Sequence, residues 1–598
     1  MKQEEIKSKY REIIRENEVR LEKVKRKQSI VSFSRLIIFT AGIFLAVEAF
    51  GISASAGVFT LLLFTVLFLL LVRYYILLSE KIQFTENLIS INKSEIIAFD
   101  EVYSGYSGGD KWKNREHDFT DDLDIFGENS LFSYLNRTVT GYGREMLAGW
   151  LSDPYALRDT IKARQDAVGE LAEKLIWRQE FMAYGIGNPL EKEDVESLGK
   201  WLDEKEYILE AHAVKMAVVI SPVLTTIALI LAITGLVPFQ IPLLLFLVNL
   251  AFTAVYLRLI NRVHNMVSRK YNFLAPVGKL ISVFGNGGFR SQIMTGISAK
   301  IHDNSQSAGT RIRELSRIIQ AFDSRLNVLA GFILNGLILW DFQCLFRLER
   351  WKRETAVQLP LWLSALGETD ALISLSNHAY NNPDYVFPTV ADGEPVIEGV
   401  EIGHPLIDRN ARIYNDFSIH KGQICIISGA NMAGKSTFLR TVGVNLILAM
   451  SGTTVCSGKL SFRPVILFTS MRTTDSLSGN ESYFYAELKR LRILKERLDS
   501  DENHFFILDE ILKGTNSEDK STGSKMFLGK LAEKSGTGLI ATHDISLGEM
   551  EKEHPQVIFN KCFEVEISGE TVTFDYKLRD GITRHMNAGI LMRQMGII

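Results

Sequence analysis

Between residues 36 and 72 the chain carries a single charged side chain, Glu48, and between residues 216 and 257 it carries none. Soluble helices of such length keep a polar stripe towards water, and these stretches have none. A bilayer core takes about 20 apolar residues per helix, so each block is long enough for two spans. Turn-forming residues stand near the middle of each, Gly51-Ile52-Ser53-Ala54-Ser55 in the first and residues 235–242 in the second. The pattern predicts two transmembrane helical hairpins, about four spans. Lys23, Lys25, Arg26, Lys27 and Arg35 precede the first block, Arg73 and Lys81 follow it, and Arg258 and Arg262 follow the second. Neither turn holds Lys or Arg. The positive-inside bias therefore predicts a multi-pass protein of the cytoplasmic (inner) membrane, with both termini and the large domains cytosolic. Glu48 is close enough to the end of its span to reach the interface.

A chain of 598 residues is too long for one core, so several domains are expected. Its 46% hydrophobic content is high beside 23% charged, and the excess sits in the two blocks. The formal net charge of −3 gives no global electrostatic case for nucleic-acid binding, although a local basic face stays open. Arg311, Arg313 and Arg317 read as a solvated helix face. Cys344, Cys425, Cys456 and Cys562 form no CxxC pair, which points to reduced, cytosolic thiols. Residues 1–28 are dense in both signs of charge at helical spacing, a solvated helix leading into the membrane rather than a secretory signal.

Gly429-Ala430-Asn431-Met432-Ala433-Gly434-Lys435-Ser436 fits the P-loop pattern GxxxxGK[ST]. Residues 423–428, which precede it, read as a buried strand, and a helical pattern begins at Thr437. Glycines let main-chain N–H groups turn towards phosphates, and the helix N-terminus adds partial positive charge. Lys435 is expected on the β- and γ-phosphates of ATP and Ser436 on Mg²⁺. Downstream, Phe505-Phe506-Ile507-Leu508-Asp509-Glu510 reads as a buried strand ending in two carboxylates. Asp509 is expected to hold Mg²⁺ and Glu510 to orient or deprotonate the attacking water. A third strand ends at Ala541-Thr542-His543, where the histidine can sense the γ-phosphate.

Together these blocks resemble the MutS family of DNA mismatch repair ATPases. The P-loop through Thr437, with Asn431 and Met432, is similar to that family's, as are residues 508–519 and Ala541-Thr542-His543. Gly403-His404-Pro405-Leu406 and Asn415 resemble the family's approach to the nucleotide base, and residues 123–143 and 161–168 its helical core. The resemblance implies a multidomain chain: an α-helical core and lever domain, then a C-terminal α/β P-loop ATPase domain of ABC type. The expected boundaries are a charged helix at 1–35, hairpin 1 at 36–78, a linker at 79–118 and a first core part at 119–212. Hairpin 2 follows at 213–257, in place of the family's DNA clamp, then the lever at 258–378 and the ATPase at 379–598. No mismatch-reading domain is expected. The resemblance further implies a homodimer through the ATPase domains, in which Ser482 of the signature loop 475–484 caps the γ-phosphate held by the other protomer. ATP binding would close that dimer. Three functional readings follow: a membrane-tethered, DNA-handling ATPase; a signalling or remodelling ATPase without DNA; and an ABC-type transporter, suggested by Leu477-Ser478-Gly479-Asn480-Glu481.

Overall fold

The computed structural model describes residues 3–100, 106–187, 192–203, 212–285, 287–302, 308–472, 483–500, 503–568 and 571–583. Two helices open the chain, Gln3–Ile52 and Ala54–Asp100. They pair antiparallel along their length: Lys25 meets Glu86 at 2.7 Å, Gln28 donates to Ser79 at 2.7 Å, and Glu18 meets Lys93 at 2.9 Å. The break falls at Ser53, whose hydroxyl accepts the Ala56 N–H and so caps the second helix. At a rise of ~1.5 Å per residue each helix is about 70–75 Å long. That outruns the expected boundaries: the charged helix continues unbroken into the first apolar block, and the expected linker at 79–118 is helical to Asp100. No glycine or proline cluster interrupts 79–100, so nothing stops the helix there.

The far halves of this pair bristle with exposed apolar side chains, from Phe33 to Leu77. The near halves are anchored. Tyr10 donates to Asn381 at 2.8 Å, Glu95 forms a buried ion pair with Arg137 at 2.7 Å, and Asn92 exchanges hydrogen bonds with Gln179.

The second apolar block forms His212–Ile233 and Gln240–Val255, the latter bent by 65° from Leu257–Phe284. Among the described residues, three helices are long and apolar enough to cross a membrane, or up to five if each bent pair is one span. One apolar element beyond the two expected blocks, Val328–Ile338, packs on both helices of the second.

Behind these lies the helical core. The helix Gln358–Asn381 is buried over most of its length, and it packs against Gly141–Ser152 and Arg158–Glu173. Contact is close because a glycine stands on each side: a Cβ on Gly143 would strike Asp370, and one on Gly367 would strike Tyr142.

Ten strands follow: β1 Thr389–Val390, β2 Ile397–Ile402, β3 Asn415–Ile419, β4 Ile424–Gly429, β5 Lys459–Phe462, β6 Ile466–Ser470, β7 His504–Asp509, β8 Thr537–Thr542, β9 Ile558–Ser568 and β10 Thr571–Asp580. One sheet has the order β1-β5-β2-β3, the other β10-β9-β4-β8-β7-β6. In the larger sheet all pairs are parallel except β10 with β9. β4 and β8 are buried at every residue, as continuous apolar strands covered on both faces must be. The order is what builds the site: β8 lies between β4 and β7, so the C-terminal ends of all three meet at one edge.

Candidate nucleotide site

The loop 430–434 leaves β4 and enters the helix Lys435–Met450, as the strand–loop–helix pattern predicts. Met432 and Gly434 have φ of 66° and 103°. Such alternation of hand turns successive main-chain N–H groups to one side, an anion-binding concavity. Asn431, Met432, Ser436 and Thr437 are exposed at its mouth, while Lys435 is buried. The Lys435 ammonium donates to the Gly429 and Ala430 carbonyls at 2.8 and 2.9 Å. Burial pulls its pKa below the ordinary value, against the opposing influence of Glu510 and Asp509. A desolvated cation inside an N–H cradle fits a phosphate chain.

Register brings the other groups in. Ser428 pairs with Thr542 and Asp509 with Ala541, so His543 and Glu510 emerge beside the loop. The Ser436 hydroxyl donates to Asp509 Oδ2 at 2.5 Å. A hydroxyl and a carboxylate at one point are hard oxygen donors, the set that suits Mg²⁺. His543 Nδ1 lies 3.1 Å from Lys435 Nζ, and its Nε2 contacts the Glu510 carboxylate. A carboxylate only accepts, so Nε2 carries a proton towards Glu510, while Nδ1 lies 3.1 Å from both the Lys435 ammonium and the Gly429 carbonyl. Lys435, His543 and Glu510 thus form one hydrogen-bonded line. Burial pushes the Glu510 carboxyl up, but the His543 hydrogen bond and the nearby charges of His543, Lys513 and Lys520 outweigh it and leave the pKa below its usual value. Glu510 has φ of 54°, a left-handed conformation costly for a non-glycine residue, and its amide is bound to the Ala541 carbonyl at 2.9 Å.

Asn415 differs from expectation. Its side chain is engaged by β10, donating to the Tyr576 carbonyl at 3.1 Å and accepting the Leu578 N–H at 2.8 Å. It therefore sets the irregular stretch of β10 between Phe574 and Leu578. That stretch brings Tyr576, at φ 54° and about half exposed, over the P-loop: a Cβ on Gly434 would lie 3.0 Å from the Tyr576 ring. Nothing in the sequence marks Tyr576, because a tyrosine in an alternating strand looks like any other. Ser482 lies outside the described residues.

Two further carboxylates brace the site. Asp122, from the helical core, accepts the Thr469 hydroxyl and the Met471 and Arg472 amides at 2.6, 3.1 and 2.7 Å. Glu487, on the helix Tyr483–Ser500, accepts the Leu512 and Lys513 amides just beyond β7. Neither stands out in the sequence from its acidic neighbours.

Residues 425–597 match the family model of MutS domain V, and residues 115–208 that of MutS domain III. Both matched regions are of the MutS family. Among relatives, a DNA mismatch repair protein MutS of Thermotoga petrophila is 32% identical over 222 residues, 36% of this chain and 27% of that protein. The Aquifex pyrophilus protein of the same name is 33% identical over 223 residues, 36% of this chain and 25% of that protein. MutS protein homolog 4 of Homo sapiens is 29% identical over 232 residues, 37% of this chain and 24% of that protein. The chain thus spans about a quarter of the length of these MutS relatives. The two MutS domain matches leave out both apolar blocks and the helices from 258 to 378.

Proposed function

We propose that the chain is a membrane-anchored MutS-like ATPase that hydrolyses ATP with Mg²⁺ and uses ATP binding to close a homodimer. The observation that carries the reading is the line Lys435–His543–Glu510 beside the Ser436–Asp509 pair. In this reading Lys435 and the loop N–H groups hold the β- and γ-phosphates, and Ser436 and Asp509 hold the metal. Bound Mg²⁺ would neutralise charge developing on the phosphates. Glu510, kept ionised, orients the attacking water and accepts its proton. His543 reports the state of the lysine to the base. The Tyr576 ring offers a face for the nucleotide base, and Ser482 of the second protomer caps the γ-phosphate. The apolar helices of both blocks anchor the protein as a multi-pass protein of the cytoplasmic membrane, with the ATPase domain in the cytosol.

DNA handling is part of the proposal, supported by the names of the relatives. The rival reading is a signalling or remodelling ATPase without DNA, favoured by the apolar helices set within the helical core. ATP hydrolysis by the full chain in nanodiscs, with homoduplex, mismatched and no DNA, separates the two. Stimulation by DNA that weakens with salt supports DNA handling, because phosphate contacts release counterions. Steady, DNA-independent hydrolysis at low salt would leave only the rival. A Glu510→Gln variant as active as the parent would refute the site itself.

A further inference from the structure

From Leu326 to Leu339 the chain carries no charge, and the residues that bracket this run, Arg325 and Asp341, are ion-paired with each other at 3.2 Å. Both are nearly buried, with 11% and 2% of their side chains exposed. Trp340 ties the same neck, its indole donating to the Ala321 carbonyl at 2.8 Å and the Ser324 hydroxyl at 2.9 Å. The segment therefore leaves the helical core and returns to it at one point. Between lies the helix Val328–Ile338, turned by 79° from Trp340–Thr355 through Leu339 in the left-handed conformation.

This excursion lies against the second apolar block. Asn249, in the middle of Gln240–Val255, donates to the Gly336 carbonyl at 2.9 Å and to Thr225 at 3.2 Å. Phe246 packs edge-on to Phe332, with ring centroids 5.3 Å apart, and a Cβ on Gly336 would collide with Phe246. Small residues and buried amides at the contact are how helices join where water is absent. The opposite face has no such cover: Leu326, Val328 and Leu329 are 69%, 85% and 69% exposed. Eleven residues make only about 16 Å of helix, roughly half a bilayer core of ~30 Å, so the element enters and turns back instead of crossing.

We propose that residues 325–341 form a re-entrant hairpin of the helical core, inserted halfway into the bilayer beside His212–Ile233 and Gln240–Val255, with lipid acyl chains as its occupant. The inference rests on reading those two helices as membrane-embedded. Three points favour acyl chains over a protein groove. The exposed face is continuous with the apolar faces of both helices, it carries no charge, and the two charges that bracket the segment are paired at the neck. Because the hairpin is part of the helical core, a change in its depth would be felt there directly, which makes it a route between membrane and ATPase.

The test is site-directed labelling of the full chain in phosphatidylcholine vesicles. Single cysteines Leu329→Cys, Val223→Cys and Leu157→Cys carry an environment-sensitive fluorophore, the native thiols being buried. Quenching is read with acyl-chain nitroxide lipids and with aqueous iodide, and retained ATP hydrolysis verifies the fold. The proposal expects Leu329→Cys and Val223→Cys to be quenched by nitroxide lipid and shielded from iodide, and Leu157→Cys the reverse. Val223→Cys quenched by lipid with Leu329→Cys open to iodide would overturn the re-entrant hairpin and leave the anchor intact. Leu329→Cys shielded from both would overturn it in favour of a protein cover. Failure of lipid quenching at Val223→Cys as well would overturn the membrane reading of that block itself.

Discussion

Glu487 accepts the Leu512 amide at 2.5 Å, joining the helix Tyr483–Ser500 to the residues just past β7. The same carboxylate takes the Lys513 amide at 3.0 Å, and Leu512 has φ of 61°, a strained conformation for a leucine. Burial pushes the Glu487 carboxyl up, against the pull of the two amides and of Lys513 and Lys520. The contact ties the backbone just beyond Glu510 to the helix Tyr483–Ser500.

Glu487→Ala would leave two N–H groups without an acceptor, of which the buried Leu512 amide costs about 1–3 kcal/mol. We expect kcat for ATP to fall about tenfold or more, the equivalent of ~1.4 kcal/mol, while KM for ATP changes little. Glu487→Gln, with one accepting oxygen, should recover part of the rate. Equal losses in kcat, KM and melting temperature would point to unfolding instead.

Glu510→Gln should bind ATP normally and lose about 10²–10⁴ of its turnover, the usual worth of a general base. His543→Ala should fall between that variant and the parent. Because the two side chains are in contact, the double variant should lose less than the sum of the single losses. Single-turnover hydrolysis beside equilibrium ATP binding checks all three.

Tyr576→Ala should weaken ATP binding up to about tenfold, since an aromatic contact is worth roughly 0.5–1.5 kcal/mol. Tyr576→Phe should bind as the parent does. Asn415→Ala should mimic Tyr576→Ala, because Asn415 acts by shaping β10 around that ring. Titration with a fluorescent ATP analogue gives each value.

His378 is buried on the helix Gln358–Asn381 and pairs with the Thr454 carbonyl at 3.1 Å, bridging the helical core and the ATPase domain. Burial lowers its pKa to about 4. The unfolded chain takes up a proton near pH 6.5, the folded one only near 4. The stability this histidine contributes is therefore present above pH 6.5 and lost as pH falls towards 4, by up to about 3 kcal/mol. Thermal midpoints between pH 7.5 and 4.5 should drop less in His378→Gln, which keeps a donor for Thr454 but cannot titrate.

The local pattern determined the parts of this protein: where charge is absent for long enough to predict membrane helices, which loop suits phosphates, and which strands end in Asp509, Glu510 and His543. These are legible because period, glycine placement and apolar runs act over a few residues. The tertiary structure decided their assembly. Only the order β4-β8-β7 sets His543 between Lys435 and Glu510, and only a contact across 161 residues gives Asn415 the task of shaping β10 around Tyr576. Val328–Ile338 is unmarked in the sequence because eleven uncharged, mostly apolar residues look like any buried helix until their packing partners and exposed face are known. The first two helices outrun the boundaries that charge suggests because charge marks where water ends, whereas a helix ends only where its hydrogen bonds are broken or capped. Such contacts pair residues far apart in the chain, and no local period records them.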